Sequence, residues 1–263
     1  MKKIIRRKLL QWARPRLARE FETRFLRQSN LSRLTDRPDS DIIVTGYPKS
    51  GNTWFQHLLS GILYGVPGGR APHELIELLV PDVDGTAYYR RLSDPMFFKS
   101  HHPSTHRYKR VIYLVRDGRD AMVSYYHWLK AEGRNDLRFS DLLDSPSLEY
   151  GCWHEHVDGW LANPYQADML VVKYEDLKKK PVDILTEVCS FAGIDSDRQH
   201  LEWVIQECCF NNLQKKENTQ GYYKNFKTFR RGVVGSYRDE MPEDFLAEFE
   251  KVAGPVLKRL GYL

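Results

Sequence analysis

Asp41-Ile42-Ile43-Val44-Thr45-Gly46-Tyr47-Pro48-Lys49-Ser50-Gly51-Asn52-Thr53-Trp54 is the stretch on which the reading of the chain turns. Asp41 to Thr45 is short, apolar and rich in β-branched residues, which predicts a buried strand. Gly46 to Gly51 is a turn of Gly, Pro and Ser. From Asn52 to Tyr64, Trp54, Phe55, Leu58, Leu59 and Ile62 recur at helical spacing. Strand, loop and helix in that order turn the loop amides and the unpaired N–H groups of the helix start toward one centre, a cradle for phosphate. Ser50, Asn52 and Thr53 add side-chain donors, and Lys49 adds a full charge. The loop is not the nucleotide P-loop G-x-x-x-x-G-K-[ST], because Lys49 precedes Gly51 instead of following it, and it does not fit G-x-G-x-x-G. Taken alone it also reads as a plain Gly/Ser turn.

The pattern recurs along the chain. Arg110 to Val115 predicts a second buried strand, Arg116 to Asp120 its turn and Ala121 to Lys130 its helix. Met169 to Tyr174 predicts a third strand, and the next helix opens at Pro181 and ends at Gly193. Phe97 to His101 reads as a short extra strand. The expected fold is α/β, in three layers, with a mainly parallel central sheet flanked by helices. Ligands of such sheets lie at the carboxyl ends of the strands. Residues 1–40 are expected to be an N-terminal helical segment and a linker (Ser29 to Ser40), and residues 41–263 one catalytic domain.

The 263 residues carry 40 Lys and Arg against 35 Asp and Glu, a net charge of +5. This suits an anionic small molecule, a nucleic acid or an anionic membrane, and selects none of them. Cys152, Cys189, Cys208 and Cys209 form no C-x-x-C pair, which predicts reduced thiols and a cytoplasmic protein. No apolar run approaches the roughly 20 residues of a membrane span. The basic start, Lys2, Lys3, Arg6, Arg7 and Lys8, is not followed by a signal-peptide core. Ile5, Leu9, Trp12, Leu17, Phe21 and Phe25 instead recur at near-helical spacing, interrupted by Pro15. Packing of this helix on the domain is the first expectation. Peripheral contact of residues 1–28 with anionic lipid is the second.

The segment 47–54, Tyr-Pro-Lys-Ser-Gly-Asn-Thr-Trp, resembles the 5′-phosphosulfate loop of the sulfotransferases that use 3′-phosphoadenosine 5′-phosphosulfate (PAPS). The resemblance implies a P-loop-like sulfotransferase fold. It implies that Lys49, Ser50, Gly51, Asn52 and Thr53 hold the 5′-phosphate, that Lys49 reaches the bridging oxygen, and that Trp54 stacks by adenine. Many family members have Thr where this chain has Asn52. Segment 111–126 is similar to the family's 3′-phosphate segment, implying that Arg116 and Ser124 bind that phosphate. Phe229-Arg230-Arg231-Gly232 is similar to the Arg-Lys-Gly-x-x-Gly segment that closes over it, with Arg231 for the usual lysine and Ser236-Tyr237 for the frequent Asp-Trp. Tyr174, within a Tyr-Glu-Asp match, and Phe210 are implied nucleotide contacts. The donor charge, about −1.5 to −2 per phosphate, is then nearly balanced by Lys49, Arg116, Arg230 and Arg231.

Phe98-Lys99-Ser100-His101-His102-Pro103 resembles the family's Lys-Thr-His-x-Pro, whose histidine is the general base. A neutral imidazole accepts a proton near pH 7, and Lys99 can offset charge on the sulfuryl oxygens. The implied catalytic set is His101, Lys49 and Lys99. His101, His102 and His106 lack a carboxylate or cysteine spaced to complete a metal site, so no metal is expected. The expected acceptor is a small molecule or carbohydrate bearing a hydroxyl or amine, with no nucleic-acid partner. Its pocket is expected from 66–98, 132–153 and 214–228, with Tyr88, Tyr89, Phe97, Tyr150, Tyr222, Tyr223 and Phe226 as aromatic walls. The sequence leaves oligomeric state open. Two alternatives stand beside this reading: a nucleotide kinase of P-loop type, and a non-catalytic nucleotide- or polyanion-binding module.

Overall fold

The computed structural model describes residues 18–143, 148–220 and 228–263. In chain order the elements are helix α1 (18–29), strand β1 (Ser32–Arg33), β2 (Ile42–Thr45), α2 (Asn52–Tyr64), α3 (His73–Leu79), β3 (Tyr88–Tyr89), β4 (Phe97–Ser100), β5 (Arg110–Val115), α4 (Gly118–Ala131), α5 (Trp153–Ala162), β6 (Asp168–Lys173), α6 (Tyr174–Lys179), α7 (Pro181–Ala192), α8 (Arg198–Glu207), α9 (Phe210–Gln220), α10 (Tyr237–Glu240) and α11 (Glu243–Arg259). Strands β4, β2, β5 and β6 form one parallel sheet in that order. The α/β class and the flanked parallel sheet expected from the sequence are therefore present.

The continuous apolar runs of β2 and β5 follow from their place at the centre of the sheet, where both faces are covered. Side chains alternate between the faces. Ile43, Phe98, Val111 and Tyr113 join one core with Trp153 and Trp160 of α5 and Phe249 of α11. Ile42, Val44, Phe97 and Ile112 join the other with Phe55 and Leu58 of α2, Leu185 of α7 and Val204 of α8. These two cores and the sheet between them are the three layers.

Several local expectations shift. Helix α4 begins at Gly118, three residues before the expected start, because the Asp117 carboxylate caps the Arg119 N–H at 3.0 Å. The stretch read as a linker contains β1, which pairs antiparallel with β3, so this segment is tied to the domain by backbone hydrogen bonds. On α1 the inward residues are Leu26 and Glu22, not the Phe21–Phe25 stripe. Arg33 donates to Glu22 at 2.9 Å, Tyr88 donates to the same carboxylate at 2.7 Å, and Phe21 and Phe25 face solvent. Ile5, Leu9, Trp12 and Leu17 lie outside the described residues. Among the described residues no helix is long and apolar enough to cross a membrane.

Asp41 closes the entry to the sheet. Its fully buried carboxylate takes two bonds from Arg91, at 2.9 and 2.7 Å, and the Met96 N–H at 2.9 Å, joining the start of β2 to the approach to β4. Removing a buried, charge-paired acceptor leaves its donors unsatisfied and costs about 3 kcal/mol. Asp41→Ala should therefore lower the urea midpoint with an unchanged m-value. Asp41→Asn, which can still accept from Met96, should lower it less; a midpoint equal to that of the parent in Asp41→Ala would show that this junction contributes nothing.

Candidate active site

A parallel sheet delivers all its carboxyl ends to one edge, and a cavity of about 320 Å³ opens there. The loop after β2 lines it with Lys49, Gly51, Asn52, Thr53 and Trp54. Strand β4 and its exit contribute Lys99 and His101, β5 with α4 contributes Arg116 and Ser124, and the residue after β6 is Tyr174. Phe210 of α9 and the segment Phe229, Arg230, Arg231 and Gly232 complete the wall. Of the catalytic and donor-binding residues singled out from sequence, Ser50 alone is outside this lining. Its side chain is buried, and its backbone N–H donates to Tyr47 O at 3.1 Å inside the turn.

The loop has the curled backbone its composition predicts. Lys49 has φ 71° and Gly51 φ 100°, both left-handed, and Gly51 is the residue from which α2 starts. A Cβ at Gly51 would stand 2.8 Å from Cδ2 of Tyr174, so only glycine admits that ring. The Tyr174 ring meets Trp54 edge-on at 5.6 Å and carries the Arg116 guanidinium over its face at 4.6 Å. Three residues read from separate motifs thus form one stack. The Ser50 Oγ and Arg116 Nε are buried donors without a hydrogen-bond partner in this structure, as suits an anion site.

Arg116 reaches Asp120 at 3.5 Å, and the buried Asp120 carboxylate also accepts from Gly235 N at 2.7 Å and Tyr237 N at 3.0 Å. Asp120 therefore joins the second anion segment to the end of the third. The neighbouring Arg119 turns away, to Asp117 at 2.7 Å and Glu250 at 2.7 Å.

Helix α9 holds the arginine segment by its backbone. The buried Glu217 carboxylate accepts from Thr228 N at 2.6 Å and Phe229 N at 3.0 Å. Gln214 donates to Phe229 O at 2.9 Å and Arg230 O at 3.3 Å. The helix is anchored in turn by Lys216, which donates to Gly68 O at 3.0 Å and approaches His57 Nε2 at 3.3 Å, while His57 Nδ1 meets Thr53 O at 2.8 Å. Arg230 and Arg231 both contact Glu240, at 2.5 and 2.8 Å, and His127 reaches that carboxylate at 3.1 Å. Sequence reading found the arginines and missed Gln214, Glu217 and Glu240. The last of these follows Arg231 closely enough that an acidic residue on a short helix was the one signal available.

At the opposite end, His101 Nδ1 lies 2.9 Å from Gly46 O, which fixes the tautomer: Nδ1–H donates and Nε2 carries the lone pair. Burial first, then the Lys99 charge, lowers its pKa to about 3, so the ring is neutral near pH 7. Lys99 pairs with Asp82 at 2.7 Å. Burial opposes ionisation of Asp82, but Lys99 outweighs it and holds the carboxyl below its ordinary value. Lys49 is lowered to about 7, by burial above all and by the charges of Arg116, Lys99 and Arg230, against the opposing pull of Glu217. His102 is engaged elsewhere, with Asp84 at 2.5 Å.

The expected aromatic acceptor wall needs correction. Tyr150 lines the cavity, its ring 5.5 Å from that of His101. Phe97 opens β4, at the end of the strand away from the cavity, and is fully buried in a core. Tyr89 packs edge-on against Phe98 at 5.0 Å, and Tyr88 is at the surface with Glu22. Tyr222, Tyr223 and Phe226 lie outside the described residues. Tyr125 and Trp128 of α4 line the cavity instead. They share their helix with core residues such as Val123 and Leu129, which hid them from a reading by periodicity.

Comparison with known proteins agrees with this geometry. The profile of the family described as Sulfotransferase domain matches residues 39–261. Mouse Sulfotransferase 1B1 is 26% identical over 243 residues, 81% of this chain and 81% of the relative. Human Sulfotransferase 2A1 is 25% identical over 261 residues, 88% and 90% of the two chains. Among solved structures, mouse sulfotransferase SULT7A1 complexed with PAP superposes with a TM-score of 0.63 at 22% identity, covering 86% of this chain and 90% of the other. Retinol dehydratase in a complex with retinol and PAP gives 0.65 at 20% identity, covering 84% and 82%. The motifs that meet in the cavity at the strand ends and the family match lead to one conclusion: the chain belongs to the sulfotransferase family.

Proposed function

We propose that this protein moves a sulfuryl group from PAPS to the hydroxyl, or amine, of a small-molecule or carbohydrate acceptor, with His101 as general base. The observation that carries the reading is that Lys49, Arg116 and Arg230 line the same cavity as the neutral ring of His101. The loop 49–53 suits the 5′-phosphate end of the donor. Arg116, Ser124, Arg230 and Arg231 suit the 3′-phosphate, and Trp54, Tyr174, Phe210 and Phe229 suit the adenine end.

When bound, the donor supplies the sulfuryl group, whose sulfur gains a bond to the acceptor oxygen as its bond to the bridging oxygen breaks. His101 Nε2 takes the acceptor's proton. Lys99 offsets charge on the sulfuryl oxygens, and Lys49 offsets charge developing on the departing phosphate oxygen. By analogy with phosphoryl transfer, positioning and charge do most of the work. Tyr125, Trp128 and Tyr150 offer apolar surface for the acceptor beside His101. Cys152, Cys189 and Cys208 are buried as thiols, which suits a reducing compartment, the cytoplasm, as the place of work.

His101→Ala should lower the transfer rate about 10²- to 10⁴-fold while 3′,5′-ADP still raises the melting temperature. Turnover at the parental rate with any acceptor found from a labelled-sulfate panel would remove the base assignment.

Arg230→Ala should reduce the preference for 3′,5′-ADP over 5′-AMP about tenfold or more, because a charged contact to the 3′-phosphate is lost. Gln214→Ala, which releases the backbone beside Arg230, should narrow the same preference and add little to Arg230→Ala. Glu217→Ala should narrow it too and also weaken both nucleotides, because Glu217 supports the Lys49 charge; equal weakening of both by Gln214→Ala would assign that residue to general folding instead.

Lys49 binds an anion best when protonated, and in the free protein it loses its proton through about pH 7. A bound phosphate favours the ammonium and raises that value. Affinity for 3′,5′-ADP should therefore fall as pH rises above 7, by at most about tenfold per pH unit, with proton uptake on binding. Calorimetry in buffers of different ionisation heat measures that uptake. Lys49→Arg, charged throughout, should flatten the profile; an equally steep profile in the variant would place the titration elsewhere.

A further inference from the structure

Helix α1 is held to the domain by one face. Leu26 is buried, Glu22 accepts from Arg33 and Tyr88, and Arg33 also reaches Thr23 at 3.5 Å. This docking fixes what the other face displays. Phe21 and Phe25, one helical turn apart, are 69% and 59% exposed, with the exposed Arg24 beside them. Two adjacent aromatic side chains held out in water are unfavourable, since each would gain from burial.

Charge is partitioned in the same place. Residues 1–28 contain ten lysines and arginines and two glutamates, a net charge of +8, whereas the whole chain is +5; all the other residues therefore sum to −3. A segment of concentrated positive charge leading into a helix with outward aromatics matches a surface that is anionic outside and apolar beneath. A nucleic acid would use the charge but not a pair of phenylalanines on a helix face. A bilayer interface uses both.

We propose that the outward face of α1 seats the protein on an anionic lipid surface, with Phe21 and Phe25 inserted at the headgroup–acyl boundary and Arg24 at the headgroups. Helix α1 then lies in the plane of the interface, as its short, charged sequence requires. The catalytic domain, net negative, stays in water. Binding is governed by lipid charge and by salt, and it leaves the chemistry of the cavity untouched.

The test is co-sedimentation of the full chain with vesicles of phosphatidylcholine alone and with phosphatidylglycerol added. Binding should appear with the anionic vesicles, decline as salt is raised, and weaken roughly tenfold or more in Phe21→Ser/Phe25→Ser. The double variant should keep its melting temperature and its shift with 3′,5′-ADP. Absence of binding to anionic vesicles, or equal binding by the double variant, would overturn the proposal. So would a concentration-dependent dimer that the double variant abolishes, because a second copy would then cover the face. Binding to RNA as tight as to the vesicles and indifferent to the double substitution would overturn it too.

Discussion

Cations gathered in one cavity repel one another, and the architecture around them is organised by the need to hold them there. Lys49, Lys99, Arg116 and Arg230 line a single cavity. Lys99 has Asp82 at 2.7 Å, Arg116 has Asp120 at 3.5 Å and Arg230 has Glu240 at 2.5 Å. Lys49 is stabilised in its charged form chiefly by Glu217, against the repulsion of the other three. Each carboxylate also ties its cation to a different element. Asp82 backs β4, Asp120 joins α4 to the loop at Gly235, Glu217 belongs to α9 and Glu240 to α10. The counter-charges thus serve as struts, and in a site of reduced dielectric each such pair acts more strongly than it would in water.

A polyanion entering this cavity meets cations already placed but not fully committed. Asp120 is held by backbone N–H groups as well as by Arg116, so it can stay where it is when Arg116 turns to a ligand. Glu240 differs, because its partners are the side chains of Arg230, Arg231 and His127. A phosphate that draws the arginines toward itself competes directly with Glu240. The arginine segment meanwhile keeps its backbone fixed by Gln214 and Glu217. Its side chains can exchange partners while its main chain stays in place. Such division lets a site bind and release a strongly charged molecule without refolding a loop each time.

What the sequence disclosed and what it concealed follow from the range of the forces involved. Buried parallel strands must be apolar throughout, and an anion loop must have glycine where the backbone turns left-handed, so β2, β5 and the loop to Gly51 announce themselves locally. The cations were visible because lysine and arginine beside glycine at a strand end are unusual in a covered sheet. Their partners were not, since Lys99 and Asp82 are 17 residues apart and are brought together only by the bridge between their backbones. Tyr125 and Trp128 went unseen for a related reason: a helix that borders both a core and a cavity is apolar toward each. The orientation of α1 was misread because the residue it buries, Leu26, lies outside the expected stripe, and the contacts of Glu22 with Arg33 and Tyr88 join separate segments and leave no periodic trace.

The most consequential distance in the site is set by sheet register. Thr45 and Ser100 are partners across β2 and β4, so the next residues, Gly46 and His101, emerge side by side. The Gly46 carbonyl accepts from His101 Nδ1, and that bond leaves Nε2 as the basic atom. Gly46 also begins the loop that carries Lys49. One strand pairing therefore fixes both the separation of His101, the proposed base, from the loop of Lys49 and the tautomer of its ring. Slipping β4 by one residue would move the imidazole about 3.3 Å along the strand and turn it to the other face. Phe97 and Phe98 would only exchange cores in such a slip, but Lys99 would lose Asp82, its partner at 2.7 Å, and the backbone bonds to Pro81 and Val83, which opposes it. The Lys99–Asp82 pair thus helps to fix where the His101 imidazole stands. A substitution of Asp82 would reach the imidazole by the same route, through the strand that carries both Lys99 and His101.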